Sequence, residues 1–186
     1  MKELPEIIKD GDLELRKAKA TFENAHTVFS MVDKNRDYLY EFLSWPANTK
    51  TPEDSFGWLS ASAQPKQEYL IYLDGAFVGV VGFAKWEPAE NRRWCEIGYW
   101  VDKSVSGRGI MTRAVKMVER VAFESGEINR VQIWVDELNM GSRRVVEKAG
   151  YVFEGILRQF DKMGGGASGD IRSYSKLKSE WEAENA

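Results

Sequence analysis

The stretch Cys95-Glu-Ile-Gly-Tyr-Trp-Val-Asp-Lys-Ser-Val-Ser-Gly-Arg-Gly-Ile-Met-Thr-Arg-Ala-Val-Lys-Met-Val-Glu-Arg-Val-Ala122 decides how the rest of the chain is read. Its first third, Cys95 to Val101, is aromatic and β-branched and reads as a strand. Farther on, Ile110, Ala114, Val115, Val118, Val121 and Ala122 recur at helical spacing. Gly107 and Gly109 occupy the corner between the two, where a backbone without Cβ lets a ligand come close. A helix that starts there points its unpaired N–H groups and the positive end of its dipole at that ligand, which favours phosphate. Two nucleotide fingerprints are excluded: no Walker lysine follows Gly109, and no third glycine stands at dinucleotide-binding spacing.

A chain of 186 residues suits one domain over 1–186 with a core of its own. The formal charge of −3 leaves no global basic footprint, so nucleic acid is not an expected partner. One cysteine, Cys95, makes no internal disulfide, and with a single histidine, His26, the usual soft ligands of a zinc site are missing. No metal is expected, and a reducing, cytoplasmic location is. The first ten residues are too charged for a secretory signal, and no later segment has the apolar length of a membrane span, so no membrane partner is expected.

Upstream, Leu13 to Ala18 alternates weakly as a first strand after a turn at Asp10-Gly11. Thr21 caps a helix whose face carries Phe22, Ala25, Val28, Phe29 and Val32, and a second helix is predicted from Arg36 to Trp45, before Pro46. Thr51 or Asp54 starts a third, through Ala61, with Pro52 in its first turn. Glu68–Leu73 and Ala76–Phe83 flank Asp74-Gly75, a hairpin signal, and Arg92–Val101 continues the meander after a turn at Pro88 to Asn91. Downstream come a strand at Arg130–Val135 and a helix capped by Asn139 and closed at Gly150. A last antiparallel pair, Tyr151–Phe160 and Ile171–Leu177, follows. Met163 to Gly169 reads as a mobile loop, and the run from Lys176 to Glu184 as a solvated tail. Together these predict an α/β (α+β) fold, a mixed sheet with helices on both faces.

Gly-Tyr-Trp-Val followed by Ser-Gly-Arg-Gly-Ile-Met-Thr-Arg-Ala resembles the pyrophosphate-binding motif of the GNAT acetyltransferase superfamily, and closely that of its RimJ/RimL-type protein N-acetyltransferases. The predicted element order is similar to the GNAT fold over nearly the whole chain, which implies a mostly antiparallel central sheet. The resemblance implies acetyl-CoA as co-substrate. Ser106, Gly107, Arg108, Gly109, Ile110, Met111 and Thr112 would form the pyrophosphate loop, and Trp100 and Val101 would be backbone partners of pantetheine. Asn139 and Ser142 resemble the RimL-type Asn-x-x-Ser, in which the asparagine contacts the pantetheine arm and the serine lies near the thiol as a proton donor; a first-turn serine is also ordinary capping chemistry. The run Arg-x-Tyr-Leu-x-x-Phe-Leu-x-Trp resembles the acceptor-site helix of RimL-type enzymes, which points to Tyr38, Tyr40, Glu41 and Trp45 as substrate-binding; the bland alternative is that these rings are core. The chain departs from the family at Ser104, where Gln or Arg is usual, at Ser106, often Gln, and at Leu138, often an acid.

Acetyl transfer from a thioester to an amine needs a deprotonated amine, a polarised carbonyl and a proton for the thiolate. Glu96 lies two residues before Gly98, on the same strand face, and that strand leads into the phosphate turn. It is the candidate base, against the alternative of a structural ion pair, with Glu41 in reserve. Alternation sends Cys95 to the other face and away from a nucleophilic role. Two acceptors compete: the N-terminal amine of a protein, as the resemblance implies, or a small amine such as an aminoacyl-nucleotide or antibiotic. A CoA-binding module without catalysis is a third reading, and a second copy of the chain is kept as a candidate partner.

Overall fold

The computed structural model describes residues 4–61, 67–89, 92–162 and 168–186. In chain order its elements are β1 (Ile7–Asp10), β2 (Leu13–Lys17), α1 (Phe22–Lys34), α2 (Arg36–Tyr40), α3 (Pro52–Ser60), β3 (Gln67–Leu73), β4 (Ala76–Ala89), β5 (Arg92–Val101), α4 (Ile110–Glu124), β6 (Arg130–Asp136), α5 (Met140–Lys148), β7 (Val152–Lys162), β8 (Ser168–Leu177) and α6 (Lys178–Glu184). The strands form one sheet in the order β1-β2-β3-β4-β5-β6-β8-β7, antiparallel at every junction but one, the parallel pairing of β5 with β6. This is the mixed, mostly antiparallel sheet flanked by helices that the sequence predicts.

Local chemistry explains many boundaries. Asp74 and Gly75 take φ of 48° and 80°, so the β3–β4 hairpin has the tight turn whose twist matches its strands. Thr21 caps α1, Thr51 and Asp54 close a reciprocal capping box on α3, and Asn139 caps α5. The second helix is shorter than predicted: it ends at Tyr40, and the chain turns into a 3₁₀ helix at Trp45–Ala47 that accommodates Pro46. Arg36 explains the fold-back, because its guanidinium donates to the carbonyls of Pro46 and Thr49, the latter at 2.8 Å.

Two apolar layers sandwich the sheet. On one face Cys95, Ile97, Val131, Ile133 and Val135 meet Val115, Val118 and Ala122 of α4 and Val146 and Ala149 of α5. On the other, Leu70 and Val80 meet Ala25, Val28 and Val32 of α1 and Leu59 of α3, edged by Trp45, Phe77 and Trp100.

Three expectations change. Ile7–Asp10 is a strand, joined to β2 through Gly11 at φ 59°. The C-terminal run is not a solvated tail. Lys176 is completely buried, donating to the Ala149 carbonyl at 2.6 Å and paired with Glu119 at 3.3 Å and Glu184 at 2.8 Å. Trp181 of α6 packs on Phe123 with ring centroids 5.5 Å apart. Lysine and glutamate composition signals solvent only when the charges are not partners of one another. Of the predicted loop, Ser168 and Gly169 belong to β8, and Met163 to Ala167 lie outside the described residues, as do residues 90 and 91 of the predicted turn. No helix among the described residues is long and apolar enough to cross a membrane, and among them no group of three or more His, Cys, Asp or Glu is placed to hold a metal.

Candidate functional site

β5 and β6 pair only at Trp94 with Arg130, Cys95 with Val131 and Glu96 with Gln132. Beyond Glu96, β5 stays with β4 as far as Val101, and β6 stays with β8 as far as Asp136. The two strands therefore diverge. Their parting coincides with an irregularity in β4 between Phe83 and Lys85, opposite Ile97 and Glu96, where an extra residue bends the strand and raises its twist. Backbone N–H and C=O groups along the two parted edges need partners, which a ligand carrying amides can supply. The opening is a cleft of about 510 Å³, walled by the parted strands and by the starts of α4 and α5.

The start of α4 supplies the polar end of this cleft. Its cap is Gly109 at φ 80°, which offers no side-chain acceptor to the first N–H groups, and Gly107 stands at φ 77°. A Cβ at either glycine would meet no heavy atom within 4 Å, so the space over the turn is open. Both flanks are tied down. Asp102, buried, accepts from the Ser104 amide at 3.1 Å, the Ser104 hydroxyl at 2.8 Å and Lys34 at 2.7 Å, while Asn35 Oδ1 accepts from the Lys103 amide at 3.0 Å. Burial alone would raise the Asp102 carboxyl, but the hydrogen bonds from Lys34 and Ser104 hold it below the usual carboxylate range. From the other side, Arg113 of α4 binds Asp10 at 2.9 Å and Asp12 at 2.8 Å, across the β1–β2 turn.

Of the residues predicted to hold cofactor, Trp100, Val101, Ser106, Gly107, Gly109, Ile110, Met111, Thr112 and Asn139 line the cleft. Arg108 is exposed and outside the wall. Asn139 Oδ1 is engaged as the cap of α5, accepting from the Ser142 amide at 2.9 Å.

The two candidate catalytic residues both line the cleft, from different sides of the sheet. Glu96 belongs to the last β5–β6 pair, so it marks the apex of the split; Gln132 Nε2 donates to its carboxylate at 3.1 Å and the Lys85 ammonium lies 3.8 Å away. Its side chain is 14% exposed, which leaves it reachable. Ser142 stands in the first turn of α5, its Oγ 2.7 Å from the hydroxyl of Tyr99. Burial pushes the Tyr99 phenol above its ordinary range, so the ring keeps its proton. Cys95 is fully buried in the α4–α5 layer and burial raises its thiol as well, which disfavours the thiolate a nucleophile requires.

On the acceptor side, Tyr38 lines the cleft together with Leu39, Phe42 and Leu43. Tyr40 and Glu41 are exposed and outside the wall, and Trp45 packs against Trp100 at 6.1 Å between centroids. Tyr40 closes α2 about 200° around the helix axis from Tyr38, and Glu41 is the exposed C-cap, whereas Phe42 and Leu43 come back to the cleft. Sequence reasoning missed Tyr99, Trp134, Arg144 and Lys148, all in the cleft wall. Arg144 and Lys148 are four apart on α5, a spacing that puts both cations on one side and was available as a signal. Tyr99 gave none, since in an aromatic strand it reads as core.

A profile of the acetyltransferase (GNAT) domain matches residues 12–152. The ribosomal-protein-serine acetyltransferase of Escherichia coli (strain K12) is 27% identical over 155 residues, 81% of this chain and 85% of that protein. Among solved structures, RimL, a ribosomal L7/L12 alpha-N-protein acetyltransferase in complex with coenzyme A, is similar with a TM-score of 0.86 and 26% identity, over 94% of this chain and 99% of that one. The microcin C7 self immunity acetyltransferase MccE, in complex with acetyl-CoA and AMP, is similar with a TM-score of 0.84 and 25% identity, over 93% and 97%.

Proposed function

The chain belongs to the GNAT acetyltransferase family and is an acetyl-CoA-dependent N-acetyltransferase, and from that premise we propose that residues 1–186 form one catalytic domain whose acceptor is the N-terminal amine of a protein. The single observation that carries the chemistry is the split sheet, which brings a carboxylate to the cleft from one side and a serine hydroxyl from the other. Acetyl-CoA supplies the activated acetyl group and a thiol that can depart. The uncapped N–H groups of Ile110, Met111 and Thr112 and the open space over Gly107 and Gly109 fit its pyrophosphate. The free edge of β5 at Trp100 and Val101 fits the amides of its pantetheine arm.

In this reading Glu96 takes the proton of the acceptor ammonium, and Gln132 and Lys85 orient its carboxylate. Ser142 donates to the departing sulfur. A nitrogen–carbon bond forms and the carbon–sulfur bond breaks; the sulfur leaves with the proton of Ser142, and the second proton lost by the acylated nitrogen restores the serine hydroxyl by way of solvent. Tyr38, Leu39 and Phe42 wall the acceptor side. The lone, buried Cys95 suits a reducing cytoplasm.

Likeness to RimL and to the E. coli ribosomal-protein-serine acetyltransferase supports the protein acceptor, whereas likeness to MccE favours a small amine as the second reading. The test is release of CoA thiol from acetyl-CoA with three probes: a peptide beginning with serine, one beginning with alanine, and a non-hydrolysable aminoacyl-AMP analogue with a free amine. Turnover with a peptide well above the analogue is expected. The reverse order establishes the small-amine reading, and binding of acetyl-CoA without turnover of any probe overturns both.

A further inference from the structure

Ser142 carries one hydroxyl proton, and where that proton points is decided by what the oxygen accepts. The Tyr99 hydroxyl lies 2.7 Å from Ser142 Oγ, and 3.4 Å from the Ser142 carbonyl. The first distance is a good O–H···O bond and the second is marginal. A phenol is the more acidic hydroxyl, hence the better donor and poorer acceptor. Burial of Tyr99 also disfavours its ionisation, so it remains a donor. Neither group is free to drift. Tyr99 is fixed on β5 by its register opposite Val81, and Ser142 by the Asn139 cap on its own amide.

We infer that Tyr99 is a positioning residue for acetyl transfer: it donates to Ser142 Oγ and thereby turns the serine's own O–H into the cleft, toward the departing sulfur. The inference rests on the assignment of Ser142 as donor to the thiolate, and it adds a partner that makes this donation directional. No bond is made or broken at Tyr99, which keeps its proton throughout. The opposite network, with Ser142 donating to the phenol oxygen, would leave Tyr99 only the 3.4 Å carbonyl and would turn the serine proton away from the cleft.

Tyr99→Phe removes the hydroxyl and leaves the ring in its packing. With acetyl-CoA and the serine-initiated peptide, kcat should fall about 3- to 10-fold, the effect of one hydrogen bond, while the KM for acetyl-CoA and the thermal midpoint stay close to wild type. In a Ser142→Ala background the same change should cost less than about 2-fold, because the proton it orients is gone. A second measurement needs no acceptor. Bound CoA at pH 8 should show more thiolate ultraviolet absorbance, read against desulfo-CoA, than free CoA, and in Tyr99→Phe its thiolate-to-thiol ratio should drop by about 3- to 10-fold. An unchanged or raised kcat in Tyr99→Phe, an equal loss in the Ser142→Ala background, or an unaltered thiolate ratio overturns the inference. Absence of turnover with every acceptor in the wild type, with the thiolate shift intact, would instead count against the proposed acceptor.

Discussion

Glu96 sits where a base is needed and is also hydrogen-bonded as a structural carboxylate would be, by Gln132 at 3.1 Å with Lys85 at 3.8 Å. Kinetics separates the two roles. Glu96→Gln keeps the shape and removes the basic oxygen, so turnover should fall about 10²- to 10⁴-fold and recover in part at high pH, where free amine forms unaided. CoA affinity should be unchanged. Wild-type turnover across the pH range would return Glu96 to a strand ion pair. The glutamate was legible in the sequence because strand alternation assigns faces without knowledge of neighbours. Tyr99 and Lys176 were not: the first is defined by a serine on a distant helix, the second by Glu119 and Glu184 on two other helices. Side chains whose role depends on a remote partner look like ordinary core or ordinary surface until the partner is placed.

At the scale of elements, α4 begins on the cleft without an N-cap side-chain acceptor, as α2 and α6 also begin without one, while α1, α3 and α5 each received one. Its glycine cap at φ 80° is open to solvent, so a larger residue at Gly109 clashes with nothing and suffers only from its backbone. Gly109→Val should therefore cost about 1–3 kcal/mol of local strain, relieved by reshaping the turn. CoA affinity measured by calorimetry should drop about tenfold or more, with a smaller change in the thermal midpoint. Unchanged affinity would move the pyrophosphate away from this turn. Caps and hairpins such as Thr51-x-x-Asp54, Asp74-Gly75 and Asn139 could be read directly, since each is a contract between residues a few positions apart. The end of α2 at Tyr40 could not, because it depends on Arg36 reaching the carbonyls of Pro46 and Thr49. Nor could the parting of β5 from β6, which is a property of three strands.

Across the whole molecule, carboxylates tie elements together and set its response to acid. Arg130 of β6 grips Glu154 of β7 over the intervening β8, at 2.7 and 2.5 Å, and with Ser175 it holds the Glu154 carboxyl down at about 2. The Arg172 guanidinium lowers Glu137, and Lys34 and Ser104 outweigh burial at Asp102. Each is depressed below its unfolded value, so each stabilises the fold above roughly pH 4.5 and loses that contribution as pH falls toward the folded value. Burial moves Glu119 the opposite way. Thermal midpoints should decline from pH 5 to pH 2.5, and Glu154→Gln should start lower at pH 7 with a shallower decline. An identical slope in the variant would remove Glu154 from the account. The three-pair parallel junction of β5 and β6 also orders events in time. The β3–β4–β5 meander and the β7–β8 hairpin join strands that are neighbours in sequence, whereas β5 meets β6 only after α4 has crossed over. Loop closure slows such a contact, so during refolding the local units assemble first and the cleft is among the last features to appear. A nascent chain would then hold much of its architecture before it can engage a substrate.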